Sequence, residues 1–217
     1  MFNAAITPAA VAERIKRKIS LGKGAEVFNE KPKSGILYFQ EFGFLSVPPT
    51  AKEIAQVLKS TSKISKKILG EYLAKPGMFF YGLLIENASV LTEFIGQFNF
   101  EGRRIDQGLR LLLESFRLPG ESQQIERIME TFAGFYVASN KQQEIASRDA
   151  AFVLSYSVIM LNTDQHNPQV KKRMTFEDFS RNTRGVNDGV DFSKEYLLSI
   201  FNAIHSDEII MPAEHEA

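Results

Sequence analysis

Cysteine is absent from the 217 residues. That removes zinc–thiolate centres, thiol nucleophiles and disulfide frameworks, and it suits a reducing compartment. Histidine is scarce. His166, His205 and His215 are too scattered in sequence to propose a ligand set, and no H-E-x-x-H pattern occurs, so metal-dependent hydrolysis is disfavoured and no metal is expected. No G-x-x-x-x-G-K-[ST] run is present, so the chain should not bind nucleotide by itself and no cofactor is implied. A surplus of charge is missing too: 26 basic residues balance 26 acidic ones, which supplies no global field to gather nucleic acid or anionic lipid and leaves only a local patch open. Long apolar runs are also lacking. The stretch 78–98 contains Glu86 and Glu93, and 150–161 is too short to cross a bilayer, so no direct membrane segment is expected. Met1-Phe2-Asn3-Ala4 lacks the basic-then-apolar pattern of a signal peptide, and the tail ending Glu214-His215-Glu216-Ala217 is polar; the sequence reads as a domain excised from a longer protein. No internal repeat of fixed period and no low-complexity tract is found.

What is present is helical periodicity. Apolar residues recur at three- and four-residue spacing, and sustained alternation is rare, which argues for an all-α architecture. Helices are expected near 8–21, 33–43, 50–59, 63–74, 77–97, 103–116, 122–138, 147–163, 175–182 and 193–205, about ten in all. Thr50 before Ala51-Lys52-Glu53, Thr175 before Phe176-Glu177-Asp178 and Ser193 before Lys194-Glu195 look like N-caps. Short connections favour an array in which each helix packs on its sequence neighbours. Arg184 to Asp191 is the one glycine-rich segment between helices; its Asn187-Asp188-Gly189 faintly suggests a calcium loop, but Arg184 and Val186 stand where oxygen ligands are needed.

Two segments stand out. Phe116-Arg117-Leu118-Pro119-Gly120-Glu121 ends one helix, turns, and places a lone carboxylate before the next. Read plainly, Glu121 decorates a helix start, where the macrodipole favours it by about 0.3–1 kcal/mol. The second segment runs from Ala150 through Leu161 to Asn162-Thr163-Asp164-Gln165-His166-Asn167-Pro168, an apolar helix ending in a polar, proline-terminated cluster. Its plain reading is a core helix surrounded on all sides. Polar or adaptable groups nevertheless gather towards its end at Tyr156, Ser157, Met160, Asn162, Asp164 and Asn167, and Tyr156 and Met160, four apart, share a face.

Together these segments resemble the two signature motifs of the Sec-seven domain, the exchange-factor module acting on small GTPases of the Arf family. The resemblance covers about residues 10–212, with 1–9 as an N-terminal extension and 213–217 as a tail, and includes Phe28 to Ile36 and Arg184 to Gly189. It implies a right-handed superhelical array with a hydrophobic groove, and acceleration of GDP release without covalent chemistry. Glu121 looks like the family's glutamic finger, while Arg117 reads equally as a clamp for the turn. By residue-for-residue match, Tyr156, Ile159 and Met160 would line the groove that takes up the GTPase, Asn167 would be a polar contact, and Asp149 would pair with a basic residue of the partner or simply charge a helix start. Leu154 and Ser155 are assigned to the core. Tyr156, Ser157, Asp164 and Met174 resemble the pattern of members sensitive to brefeldin A, an interfacial inhibitor wedged between exchange factor and GDP-bound Arf. Asn29-Glu30-Lys31 and Asp207 to Pro212 look most like the large Golgi-type factors, implying a cytoplasmic protein recruited peripherally to Golgi membranes for vesicle transport. Expected partners are thus GDP-bound and nucleotide-free Arf, and not nucleic acid. Two other readings compete: a non-catalytic helical domain that binds a GTPase or a partner helix in its groove, and a hydrolase using Glu121, Asp164 and His166.

Overall fold

The computed structural model describes residues 7–75, 78–80, 83–85, 87–141 and 144–210; the expected terminal extension falls partly, and the tail wholly, outside them. Among these residues ten helices follow one another: α1 Pro8–Glu30, α2 Pro32–Glu41, α3 Ala51–Ser60, α4 Lys66–Ala74, α5 Asn87–Ile95, α6 Ile105–Leu113, α7 Ser122–Ser139, α8 Arg148–His166, α9 Phe176–Asn182 and α10 Lys194–Ser206. The all-α expectation holds, with one local departure. Part of the helix expected over 77–97 is an antiparallel pair, β1 Met78–Phe80 and β2 Leu83–Ile85, in register Met78 with Ile85 and Phe80 with Leu83. A continuous apolar run does not distinguish helix from strand by period, and this one is aromatic and contains a glycine.

The caps form as the sequence implies. Thr50 and Glu53 make a reciprocal capping box on α3, Thr175 and Asp178 do the same on α9, and Ser193 Oγ accepts from Tyr196 N–H on α10. Hydrogen bonds from the Thr50 amide and from the Ser46 and Thr50 hydroxyls hold the Glu53 carboxyl down to about 2.

The first helix runs nine residues beyond its expected end, through Gly22 and Gly24. Helix propensity penalises both, but close packing demands one of them: a Cβ on Gly24 would strike the Phe39 ring of α2, and one on Gly35 would strike the Phe28 backbone. The α1–α2 pair is therefore packed backbone to ring.

Phenylalanine fills the core. Phe94 meets Phe116 edge-on at 6.1 Å between centroids, and Phe100 meets Phe132 at 5.1 Å. These four rings are buried, each stabilising the fold by about 1.5–3 kcal/mol. The helix α8 lies centrally, in contact with α6, α7, α9 and α10, while α4 and α5 pack on α7 from the other side.

Candidate functional site

The corner between α6 and α7 is anchored at three places before it reaches Glu121. Phe116 is fully buried, the Arg117 amide donates to the Lys66 carbonyl at 3.0 Å, and Pro119 is buried. Gly70 of α4 leaves room for the Arg117 carbonyl, with which any Cβ there would collide. From the other side Arg127 of α7 donates through Nη1 to the Ala74 carbonyl at the end of α4. Arg127 carries no motif in the sequence; only its partner reveals its part in holding the corner.

Glu121 is the N-cap residue of α7, in extended conformation, and its carbonyl accepts from the Gln124 and Ile125 amides. Its side chain does not cap the helix. It is exposed and accepts one hydrogen bond, from Gln124 Nε2 at 2.8 Å, which is a neutral partner. Among the described residues no ion pair involves it. The acid is directed outward with its charge uncompensated.

Helix α8 has two faces. Ala150, Ala151, Leu154, Ser155, Val158, Leu161 and Asn162 are buried, so Leu154 and Ser155 belong to the core as expected, and Ser155 Oγ donates to the Ala151 carbonyl at 2.7 Å. The opposite face is not covered. Asp149, Val153 and Met160 are exposed and Tyr156 and Ile159 half-buried, and the helical repeat sets all five in one outward strip that ends at Asn167. Each candidate contact residue thus lies on a single face. Val153 belongs to the strip as well, as does Phe152, whose ring meets Tyr156 edge-on at 5.4 Å; both could have been found by continuing the Tyr156–Met160 spacing backwards. Burial, with the nearby Glu126 carboxylate of α7, raises the Tyr156 phenol above its ordinary value, so it stays protonated.

Glu126 faces Tyr156, and Gly134 lies beside Arg148, so α7 and α8 run antiparallel. In that register Glu121 falls level with Leu161, at the same end as Met160, Asp164 and Asn167. The two sequence motifs, some thirty-five residues apart, meet at one end of a helix pair.

The polar cluster after α8 is largely occupied with its own loop. The Asp164 carboxylate accepts from the Met174 amide at 2.6 Å and from Gln165 Nε2 at 3.0 Å, while Arg173 Nη1 donates to the Asp164 carbonyl. Asp164 and Met174, two of the four brefeldin-type positions, are therefore joined by one hydrogen bond. Ser157 Oγ donates to the Val153 carbonyl at 2.9 Å and sits on the same edge of α8 as Asp164, seven residues away. Asn167 closes the helix, its Oδ1 accepting from the Gln169 amide at 2.9 Å. Asn162 is no part of a surface: it is buried, and its side chain clamps the backbone of Ile209 through two hydrogen bonds.

Hydrolase chemistry finds no constellation here. His166 Nε2 contacts the Ile204 carbonyl at 2.6 Å and Asp164 is spent on Met174, so neither is turned towards Glu121. No group of His, Cys, Asp or Glu among the described residues could hold a metal ion, and no helix among them is long and apolar enough to cross a membrane. The loop Arg184 to Asp191 also serves structure: Asn187 bonds the Glu144 carbonyl and the Ala146 amide, and Asp188 accepts from Ser147 Oγ, which fixes the start of α8.

The Sec7 domain family matches residues 17–209. An uncharacterized protein of Schizosaccharomyces pombe is 48% identical over 94% of this chain, and the ARF guanine-nucleotide exchange factor 1 of Saccharomyces cerevisiae is 42% identical over 88%. The chain spans 13% and 15% of the length of these two relatives. Among solved structures, that of a Sec7 domain bound to ARF1-GDP and complexed with brefeldin A superposes with a TM-score of 0.81 at 45% identity, covering 94% of this chain and 98% of that one.

Proposed function

This chain belongs to the Sec7 domain family, and from that premise we propose that it accelerates GDP release from an Arf-type small GTPase by placing the Glu121 carboxylate in the nucleotide site of its partner. The observation that carries the proposal is the exposed, uncompensated acid on a corner held by Phe116, Lys66, Gly70 and Arg127. Rigidity matters, because a charge that must be ordered at the moment of contact loses part of its effect to entropy.

No bond is made or broken. A carboxylate beside the β-phosphate repels it, competes for the cation that holds it and disfavours the bound divalent metal. Two unit charges about 4 Å apart at an effective dielectric of about 20 interact by about 4 kcal/mol, worth roughly three powers of ten in rate when felt near the transition state.

The outward strip of α8 supplies the grip. Tyr156, Ile159 and Met160 form the apolar wall on which the GTPase loops dock, with Asp149 and Asn167 as polar contacts at its two ends. A methionine 61% exposed beside a protonated tyrosine is an adaptable surface, suited to loops that change shape during exchange. Brefeldin A would wedge at the end of this wall, against Tyr156, Ser157, Asp164 and Met174, and the longer protein would work at Golgi membranes to which it is recruited peripherally.

Release of fluorescent GDP from a myristoyl-free, truncated Arf tests the reading. Wild type should accelerate release and Glu121→Lys should not, because it turns repulsion of phosphate into attraction. Equal acceleration by both would rule out the finger. No acceleration by either would leave a binding domain without exchange activity, the reading that needs the α8 strip and not the acid.

A further inference from the structure

Overall neutrality hides a division along the chain. Residues 1–75 carry thirteen of the 26 basic side chains but six of the 26 acidic ones, a surplus of seven positive charges that the remaining residues balance with an equal negative surplus. The positive portion includes α1, whose first half projects from the body: every residue from Thr7 to Ile19 is exposed, and burial begins at Gly24, Ala25 and Phe28, where the helix meets α2.

On this projecting half Val11, Ile15 and Ile19 are 42%, 54% and 67% exposed. Spaced by four, they form one stripe along the helix. The helical repeat sets Arg14 and Lys18 along one border of that stripe and Lys16 and Lys23 along the other. Arg17, on the far side, lies over the Phe44 ring at 4.8 Å. Further along the stripe's own face, Lys63 reaches Glu26 at 3.6 Å, and an open groove of about 450 Å³ runs between Ile15, Ile19 and Lys63.

Branched aliphatics in a stripe, with cations on both borders whose long stems can reach past it, describe a helix built to lie in a lipid–water interface. Apart from Lys63, every residue lining that groove belongs to α1, so no second wall is present to hold an acidic partner helix, and the positive surplus spreads well beyond the helix. We propose that α1 is a membrane-contact element: Val11, Ile15 and Ile19 enter the headgroup–acyl boundary of an anionic bilayer while Arg14, Lys16, Lys18 and Lys23 engage its headgroups. The contact is independent of the exchange reading, and either can fail alone.

Co-sedimentation of the whole chain with vesicles of phosphatidylcholine, alone or mixed with phosphatidylserine, tests it. The chain should partition onto the anionic vesicles and much less onto the neutral ones, with binding weakened by salt. Lys18→Glu with Lys23→Glu should lower partitioning by roughly tenfold or more, given about 1 kcal/mol for each basic residue near such a surface. Ile15→Ser with Ile19→Ser should lower it by a similar factor, since insertion removes both side chains from water. Because all four residues lie outside the proposed exchange surface, every variant should melt like wild type and release GDP from soluble Arf at the wild-type rate. Equal partitioning onto both vesicle types overturns the proposal, as does full binding by the isoleucine variant, which would mean adhesion by charge without insertion. A dimer that Ile15→Ser with Ile19→Ser abolishes would assign the stripe to a second copy of the chain and overturn it equally.

Discussion

Gly70 sits within α4 directly beneath the corner that carries Glu121, and a methyl group added there has nowhere to go. A Cβ would collide with the Arg117 carbonyl oxygen and press the Phe116 ring at 3.3 Å. The obstructing atom is backbone, so the corner must lift. Lifting it strains the hydrogen bond from the Arg117 amide to Lys66, 3.0 Å long, and disturbs the buried Phe116 against Phe94. Overpacking of this kind costs about 1–3 kcal/mol and a weakened amide hydrogen bond about 1 kcal/mol, while replacing a helical glycine by alanine returns up to about 1 kcal/mol. The net expectation for Gly70→Ala is a loss of about 1–3 kcal/mol. Gly134, inside α7, is the matched comparison: its nearest neighbour for a Cβ is Arg148 Nε at 3.7 Å, an ordinary contact, so Gly134→Ala should gain roughly 0.5–1 kcal/mol from propensity alone. Urea unfolding should therefore move the two midpoints in opposite directions with m unchanged. Since the corner carries the acid, Gly70→Ala should also slow GDP release at temperatures where it is fully folded, and Gly134→Ala should not. A Gly70→Ala protein as stable and as active as wild type would refute the claim that this glycine seats the corner.

Met160→Ala should leave stability within about 0.5 kcal/mol, because the residue is 61% exposed, yet lower kcat/KM for exchange; stability and kinetics measured on the same sample check it. Asp164→Ala should cost about 1–3 kcal/mol by leaving the Met174 amide without its acceptor, seen as a lower urea midpoint. Tyr156→Phe with Ser157→Ala should keep exchange activity and lose inhibition by brefeldin A, read from GDP release with and without the drug. Glu53, its folded pKa depressed from 4.5 to about 2, contributes stability that is present above 4.5 and lost as pH falls from there towards 2. Glu53→Gln should accordingly be less stable than wild type at pH 7, with the gap closing over that range in thermal melts.

The helical architecture, the caps at Thr50, Thr175 and Ser193, and the two motifs were legible because each rests on local pattern: apolar period, an oxygen before a helix, Pro-Gly in a turn. What stayed hidden depends on partners distant in sequence. The glycines of α1 read as a helix end because propensity is local, whereas Gly24 exists for the Phe39 ring of the next helix. The strand pair 78–80 and 83–85 was invisible to periodicity because an unbroken apolar run has no alternation to betray a strand. Asn162 looked like surface chemistry, since a polar residue at the end of an apolar helix suggests exposure. It is buried and clamps Ile209 across 47 residues, and the half-buried Asp164 also holds the Met174 amide, contacts that no spacing rule encodes. The α8 strip was half legible: Tyr156 and Met160 gave its direction, but that it faces outward while Leu154 and Val158 face inward follows from which neighbours α8 acquires.

Charge at the tip of the corner carries the account, and Glu121→Gln isolates it, because the amide keeps the length and shape of the side chain and removes only the charge. GDP release from truncated Arf, measured for both proteins under saturating conditions, should fall by up to about three powers of ten in the variant, the loss of a Coulomb term of about 4 kcal/mol. Release by Glu121→Gln at the wild-type rate would contradict it.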